Sequence, residues 1–358
     1  MLRSGRGLPA WLSFSGRRLR NLHYHACLPA AIAMSSHPYD TLTPDCILDA
    51  LESTGLIADG RLLALNSYEN RVYQVGVEDE APVVVKFYRP ARWSDAAILE
   101  EHAFTQELDA QEIPVVAPQV LKGATLHRHG GFRFAVYPRQ GGRMPEFDRA
   151  DTLRRMGRFL GRIHAVGART HFLHRPTLDL QTFGFEPRAL LSEGDWVPAD
   201  LRTAWASVMD HALQGAARCF ERAGAVNSIR LHGDCHAGNV LWTDAGPHFV
   251  DFDDSRMGPA VQDLWMLLSG ERPAQEAQLR EVLAGYRMFA DFDTRELHLV
   301  EALRTLRLIH YAAWLAQRWE DPAFPAAFPW FNTQRYWQDR ILELREQIAL
   351  MEEAPLEA

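Results

Sequence analysis

The segment Leu231-His232-Gly233-Asp234-Cys235-His236-Ala237-Gly238-Asn239 sets an acid and an amide five positions apart. Val250-Asp251-Phe252-Asp253-Asp254 follows, in which a second acid emerges from an apolar stretch. Hard oxygen donors of this kind suit Mg²⁺, which takes one or two carboxylates and leaves its other positions to phosphates and water. Asp234 would be free to accept a proton. The lysines add a second signal. Of the 38 basic residues only Lys86 and Lys122 are lysines. The chain uses arginine wherever a generic positive charge will do, so a retained lysine marks a place that needs a compact ammonium instead of a planar fork. Lys86 closes the apolar run Val83-Val84-Val85. His232, Cys235 and His236 also lie close together, but a structural zinc site wants paired ligands from a second segment, and the sequence offers none.

These residues need a frame to bring them together. Residues 43–56, with Ile47, Leu48 and Leu51 ahead of Gly55, have the spacing of a short helix with a glycine stop. Residues 71–77 and 83–88 alternate as strands across the polar turn Glu78-Asp79-Glu80, a β-hairpin signature. Residues 93–108 carry Ile98, Leu99, His102, Phe104 and Leu108 at helical spacing and end before Ile113-Pro114. Further strands are expected around residues 120–126 and 132–137, closed by Pro138 and Gly141-Gly142. After Arg143 the pattern becomes helical over residues 153–166, 201–223 and 277–289, with short strand-like pairs at Val240-Leu241 and Phe249-Val250. The Trp-rich end reads as helix broken at Pro322, Pro325 and Pro329. The expected class is α+β: an antiparallel-sheet lobe over residues 34–138 and a mainly helical lobe over residues 139–358.

Composition bounds the rest. At 358 residues, 47% hydrophobic and net charge -8, the chain is of the soluble globular type and long enough for about two domains or lobes. The acidic balance, without a basic patch, argues against nucleic acid as a partner. Cys27, Cys46, Cys219 and Cys235 lack C-x-x-C spacing and read as reduced thiols of a cytoplasmic protein. No run reaches the roughly 18 apolar residues of a membrane span. A monomer without membrane partners is expected. Residues 1–33 hold five arginines and no acid, a transit-peptide-like composition. Met34 precedes the capped helix start Thr43-Pro44-Asp45, so residues 1–33 are expected to be an extension without function, with translation starting at Met34.

The His-Gly-Asp-x-x-x-x-Asn loop and the Asp251 strand resemble the aminoglycoside-phosphotransferase and choline-kinase-like branch of the protein-kinase fold. Upstream, Lys86, a helix acid at Glu101, Phe134-Ala135-Val136-Tyr137-Pro138 and Leu160-Gly161-Arg162-Ile163-His164 follow in the order that two-lobed fold demands. Longer strings, Leu65-Asn66-Ser67-Tyr68-Glu69-Asn70-Arg71-Val72-Tyr73-Gln74, Lys86-Phe87-Tyr88-Arg89-Pro90 and Gly258-Pro259-Ala260-Val261-Gln262-Asp263-Leu264-Trp265, are similar to the bacterial stress response kinase A family of cytoplasmic Ser/Thr protein kinases, tied to envelope and oxidative stress. The resemblance spans roughly residue 43 to the C-terminus. It implies a Mg²⁺-dependent transfer of the γ-phosphoryl group of ATP to Ser/Thr hydroxyls of proteins. By position, Asp234 is the catalytic proton acceptor, Asn239 and the catalytic Asp251 hold Mg²⁺, Ser67 and Lys86 contact ATP, and Glu101 pairs with Lys86. Asp263 would hold backbone amides of the catalytic loop, and His232 would orient it.

Two departures shape these expectations. No G-x-G-x-x-G is present, so residues 66–70 would serve as a glycine-free nucleotide turn. Only eleven residues separate Asp251 from Asp263, which leaves no room for a long activation segment. Two rival readings remain open: a kinase of amino alcohols, sugars or antibiotics, and a nucleotide-binding pseudokinase scaffold. The intact Lys86, Asp234, Asn239 and Asp251 set argues against the scaffold.

Overall fold

In a computed structural model, residues 37–358 are described; the extension expected at residues 1–33 lies outside them. The first helix, α1 (Pro44–Ser53), starts where Thr43 accepts the Cys46 N–H and Pro44 presets the first turn. Five strands then build an antiparallel sheet in the order β1-β2-β3-β5-β4: β1 (Ala58–Leu65), β2 (Arg71–Val77), β3 (Val83–Phe87), β4 (His127–His129) and β5 (Phe132–Pro138). In β3 alternation sends Val85 and Phe87 into a core with Ile47, Leu51, Val75, Phe134 and Val136. Lys86, between them, is turned to the opposite face. The helix α2 (Asp95–Ala110), capped by Ser94 on the Ala97 N–H, carries Glu101 in its buried face.

From Pro138 the chain passes into the helical lobe. Arg143 and Trp242 exchange backbone hydrogen bonds of 2.9 and 2.7 Å just after the crossing. The lobe's centre is α3 (Ala150–Gly167) against α7 (Arg272–Tyr286), where Gly157 and Gly285 let the backbones meet; a Cβ on either would collide with the facing carbonyl. Around this pair stand α4 (Glu186–Glu193), α5 (Arg202–Ala223), α6 (Val261–Trp265), α8 (Val300–Gln317), α9 (Ala323–Ala327) and α10 (Gln334–Leu350). Two short antiparallel ribbons, β6 (Ile229–Leu231) with β9 (Arg256–Gly258) and β7 (Val240–Thr243) with β8 (Gly246–Phe249), carry the chemistry-bearing loops between them. The expected α+β architecture of sheet lobe followed by helical lobe is what the chain adopts. The strand expected at residues 120–126 instead falls at β4, because Lys122 and Gly123 both take positive φ (48° and 79°) and make a turn. No helix among the described residues is long and apolar enough to cross a membrane.

Candidate active site

The loop after β6 is held from beneath by Asp263. Its carboxylate, completely buried, accepts the N–H groups of His232 and Gly233 at 2.9 Å each and meets His164 Nε2 at 3.0 Å. This is the structural part expected of Asp263. His232 lies 2.9 Å from the Val250 carbonyl through Nε2, which must therefore donate, and Nδ1 accepts the Asp234 N–H at 3.3 Å. The histidine thus ties the Asp234 loop to the strand that delivers Asp251. Gly233 sits at φ +85°, and a Cβ there would collide with the Asp254 carbonyl. The loop needs glycine at this close approach.

The Asp234 carboxylate stands between Arg307 and His236. Arg307 on α8 donates through Nη1 at 2.5 Å to Oδ1, and His236 Nε2 lies 3.4 Å from Oδ2. Asn239 donates Nδ2 to the Asp234 carbonyl at 3.0 Å. Burial alone would raise the Asp234 pKa, but the His236 hydrogen bond and the Arg307 charge hold it well below the usual carboxylate range. Asp234 is therefore ionised at any physiological pH. Nothing in the local motif announced Arg307, which lies on a helix remote in sequence.

Opposite this loop, Lys86 Nζ lies 3.0 Å from Asp251 Oδ1 and 3.3 Å from Asp253 Oδ1. Asp251 takes a left-handed backbone conformation at φ 59°, uncommon for a non-glycine residue and frequent where a side chain must be aimed. The expected Lys86–Glu101 ion pair is not formed: Asp253, buried just past Asp251, supplies the nearer carboxylate. Burial would lower the Lys86 pKa, yet Asp251 and Asp253 lift it well above its ordinary value. Glu101 is buried with Oε2 lacking a hydrogen-bond partner. Its pKa is pushed up to about 7 by burial, against the pull of Lys86. Its neighbour Glu100 faces the other way and accepts the N–H groups of Leu173 and His174 at 2.6 and 2.9 Å.

Several residues that the sequence did not single out complete this cluster. Arg92 bridges Asp253 and Asp254, and Arg256 meets Asp254 at 2.8 Å. Arg175, buried, donates to the backbone carbonyls of Ala97, Asp253 and Ser255, so it clamps α2 to the segment after Asp251. The run Asp251-Phe252-Asp253-Asp254 was the available signal for this charge network.

Residues 66–70 form the turn between β1 and β2. Ser67 Oγ donates to the Asn70 carbonyl at 3.0 Å and so braces the turn. Asn70 Nδ2 reaches Asp253 at 3.2 Å. Glu69 crosses to α8, where it accepts Trp314 Nε1 at 2.7 Å and Arg318 Nε at 2.5 Å. The turn is thereby fastened to the helical lobe. Donor chemistry at the far side fits a hard cation. The Asp251 side chain is 54% exposed, and Asn239 commits its amide nitrogen to Asp234, leaving its carbonyl oxygen to accept. No group of three or more His, Cys, Asp or Glu that could hold a metal occurs among the described residues, so such an ion would complete its shell with phosphate and water.

The phosphotransferase enzyme family model matches residues 61–300. A stress response kinase A of Escherichia coli (strain K12) is 47% identical over 323 residues, covering 90% of this chain and 98% of that protein. The serine/threonine protein kinase RdoA of Salmonella typhimurium is 46% identical over 319 residues, covering 89% and 96%. Among solved structures, the amicoumacin kinase hAmiN in complex with AMP-PNP, Ca²⁺ and Ami aligns with TM-score 0.66 at 19% identity over 89% of this chain and 96% of that one. A microcompartment-associated aminopropanol kinase aligns with TM-score 0.64 at 18% identity over 86% and 96%. The latter two share the fold. The chain belongs to the phosphotransferase enzyme family and, within it, to the stress response kinase A family, and it is a kinase.

Proposed function

We propose that this kinase transfers the γ-phosphoryl group of ATP, with Mg²⁺, to Ser/Thr hydroxyls of proteins in the cytoplasm, as part of a stress response. The observation that carries the reading is the juxtaposition of Asp234 with the Lys86–Asp251 pair, in a chain 47% identical over nearly its whole length to a stress response kinase. The relative named a serine/threonine protein kinase supports the acceptor class. Free Cys46, Cys219 and Cys235 suit a reducing compartment.

Lys86 clamps phosphate oxygens with its compact ammonium, and Ser67 with the backbone of residues 66–70 covers them. Asp251 and the Asn239 carbonyl are the residues that would hold Mg²⁺, which neutralises phosphate charge when bound. Asp234 accepts the hydrogen of the acceptor hydroxyl, aims its oxygen at phosphorus and takes the proton late, as a weak base can in a loose transition state. Glu101, buried near Lys86 and charged only above about pH 7, adds to the field that holds the ammonium and is a positioning residue. With α6 following so soon after Asp251, control by phosphorylation of an activation segment is excluded from this reading. Radiolabelled ATP offered with casein-type protein acceptors and with a panel of small alcohols tests the proposal, with Asp234→Asn as the blank. Label on protein Ser/Thr supports it; label on small alcohols alone overturns it.

A further inference from the structure

Arg307 deserves a role in this reaction. Its side chain is 42% exposed, and the one ion pair it makes among the described residues is with Asp234, the carboxylate that receives the acceptor hydroxyl on the proposed mechanism. Buried neighbours Thr305, Leu306 and Ile309 fix α8 in the core, so Arg307 is held at the lip of the catalytic loop. On the same carboxylate His236, 41% exposed, covers the second oxygen. The other acids nearby are matched as well: Asp251 by Lys86, Asp253 by Lys86 and Arg92, and Asp254 by Arg92 and Arg256. Among the described residues, each of these carboxylates at the site already has a cationic partner and is not free to receive a cationic substrate.

An acceptor hydroxyl reaching Asp234 must displace the guanidinium from Oδ1 or share that oxygen with it. The displaced Arg307 stays within a side chain's length of the acceptor and loses its counter-charge. A negative group beside the hydroxyl restores that charge contact, whereas an ammonium would face a guanidinium at short range. We infer that Arg307 sets the charge of the acceptor: the hydroxyl this enzyme phosphorylates is flanked by acidic groups, and cationic amino alcohols are rejected. The inference rests on the proposed function and specifies its substrate class.

Two serine peptides differing only in aspartate or lysine on either side of the serine, together with 1-amino-2-propanol, test it with the full chain and MgATP. The wild type should favour the acidic peptide by about tenfold or more in kcat/KM. Arg307→Met should flatten the preference, and Arg307→Glu should reverse it. A merely structural role for Arg307 would lower both peptides together and leave their ratio unchanged, an outcome that overturns the inference. Equal use of both peptides by the wild type also overturns it, and this arm needs no variant to fold. Phosphorylation of aminopropanol with neither peptide labelled overturns the inference and the protein-kinase reading together, while peptide labelling without charge preference defeats the inference alone.

Discussion

Lys86 is a buried ammonium held by two carboxylates, and on the proposed mechanism its value lies in being small enough to exchange one of them for phosphate oxygens. Arginine keeps the charge but spreads it over a fork that does not fit the space between Asp251 and Asp253. Lys86→Arg should therefore fold and lose roughly 10²–10³-fold in transfer rate, the cost typical of removing one preorganised donor; steady-state kinetics with a melting curve checks both. Glu101 makes the opposite trade. In the folded chain it holds its proton up to about pH 7, against an ordinary value of 4.5, because it is buried. The unfolded chain releases that proton earlier, so this group costs stability progressively as pH rises from about 4.5 through 7. Glu101→Gln should raise the melting temperature at pH 8, leave it nearly unchanged at pH 4, and lower turnover by weakening the support of Lys86. Lys86 stood out in the sequence through the scarcity of lysine and Glu101 through its place in the order of the family's parts, although the pairing expected between the two is not formed. Arg307, Arg92 and Arg175 did not stand out, since in a chain this rich in arginine no local pattern separates a site arginine from a surface one.

The helix α8 touches both halves of the candidate site: Arg307 meets Asp234, and a few turns later Trp314 and Arg318 hold Glu69 of the turn at residues 66–70. Glu69 also lies 3.6 Å from Arg89 and 3.9 Å from Arg92. Neutralising it as Glu69→Gln leaves the partly buried Arg318 without its counter-charge and takes one of their carboxylates from Arg89 and Arg92, which should cost about 3 kcal/mol. Hydrogen exchange should speed up at residues 66–70 while β2 and β3 stay protected; unchanged exchange in the turn would show that α8 does not anchor it. Elements with strong periodicity, such as the β2–β3 hairpin and α3, were readable because alternation and helical stripes coincide with burial. β1 was not, because Asp59-Gly60-Arg61 bulges its register and its leucines do not alternate between core and solvent. The π-helical turn at Gln181–Phe185 leading into α4 was missed as well, since Gly184 and Pro187 interrupt the helical pattern there.

The two lobes divide the work. On the proposed mechanism Lys86 and the turn at residues 66–70 of the sheet lobe serve the nucleotide together with Asp251 of the helical lobe, while the loop pinned by Asp263 offers Asp234 to the acceptor. Family strings in the sequence preserve the order of these parts and so made this division an expectation, whereas the arginine network that locks the lobes together had to be seen in three dimensions. Phosphoryl transfer rests mostly on positioning and charge, so a residue that serves only the acceptor should be separable from those that serve ATP. Asp234→Asn keeps the shape and removes the charge that aims the hydroxyl. Measuring ATP affinity and the single-turnover transfer rate on that one variant is the most direct test. Affinity should stay close to that of the wild type while the rate falls by roughly 10²–10⁴-fold, the usual worth of a positioned general base. A large loss of ATP affinity with normal transfer at saturation would make Asp234 a nucleotide-binding residue and contradict the assignment.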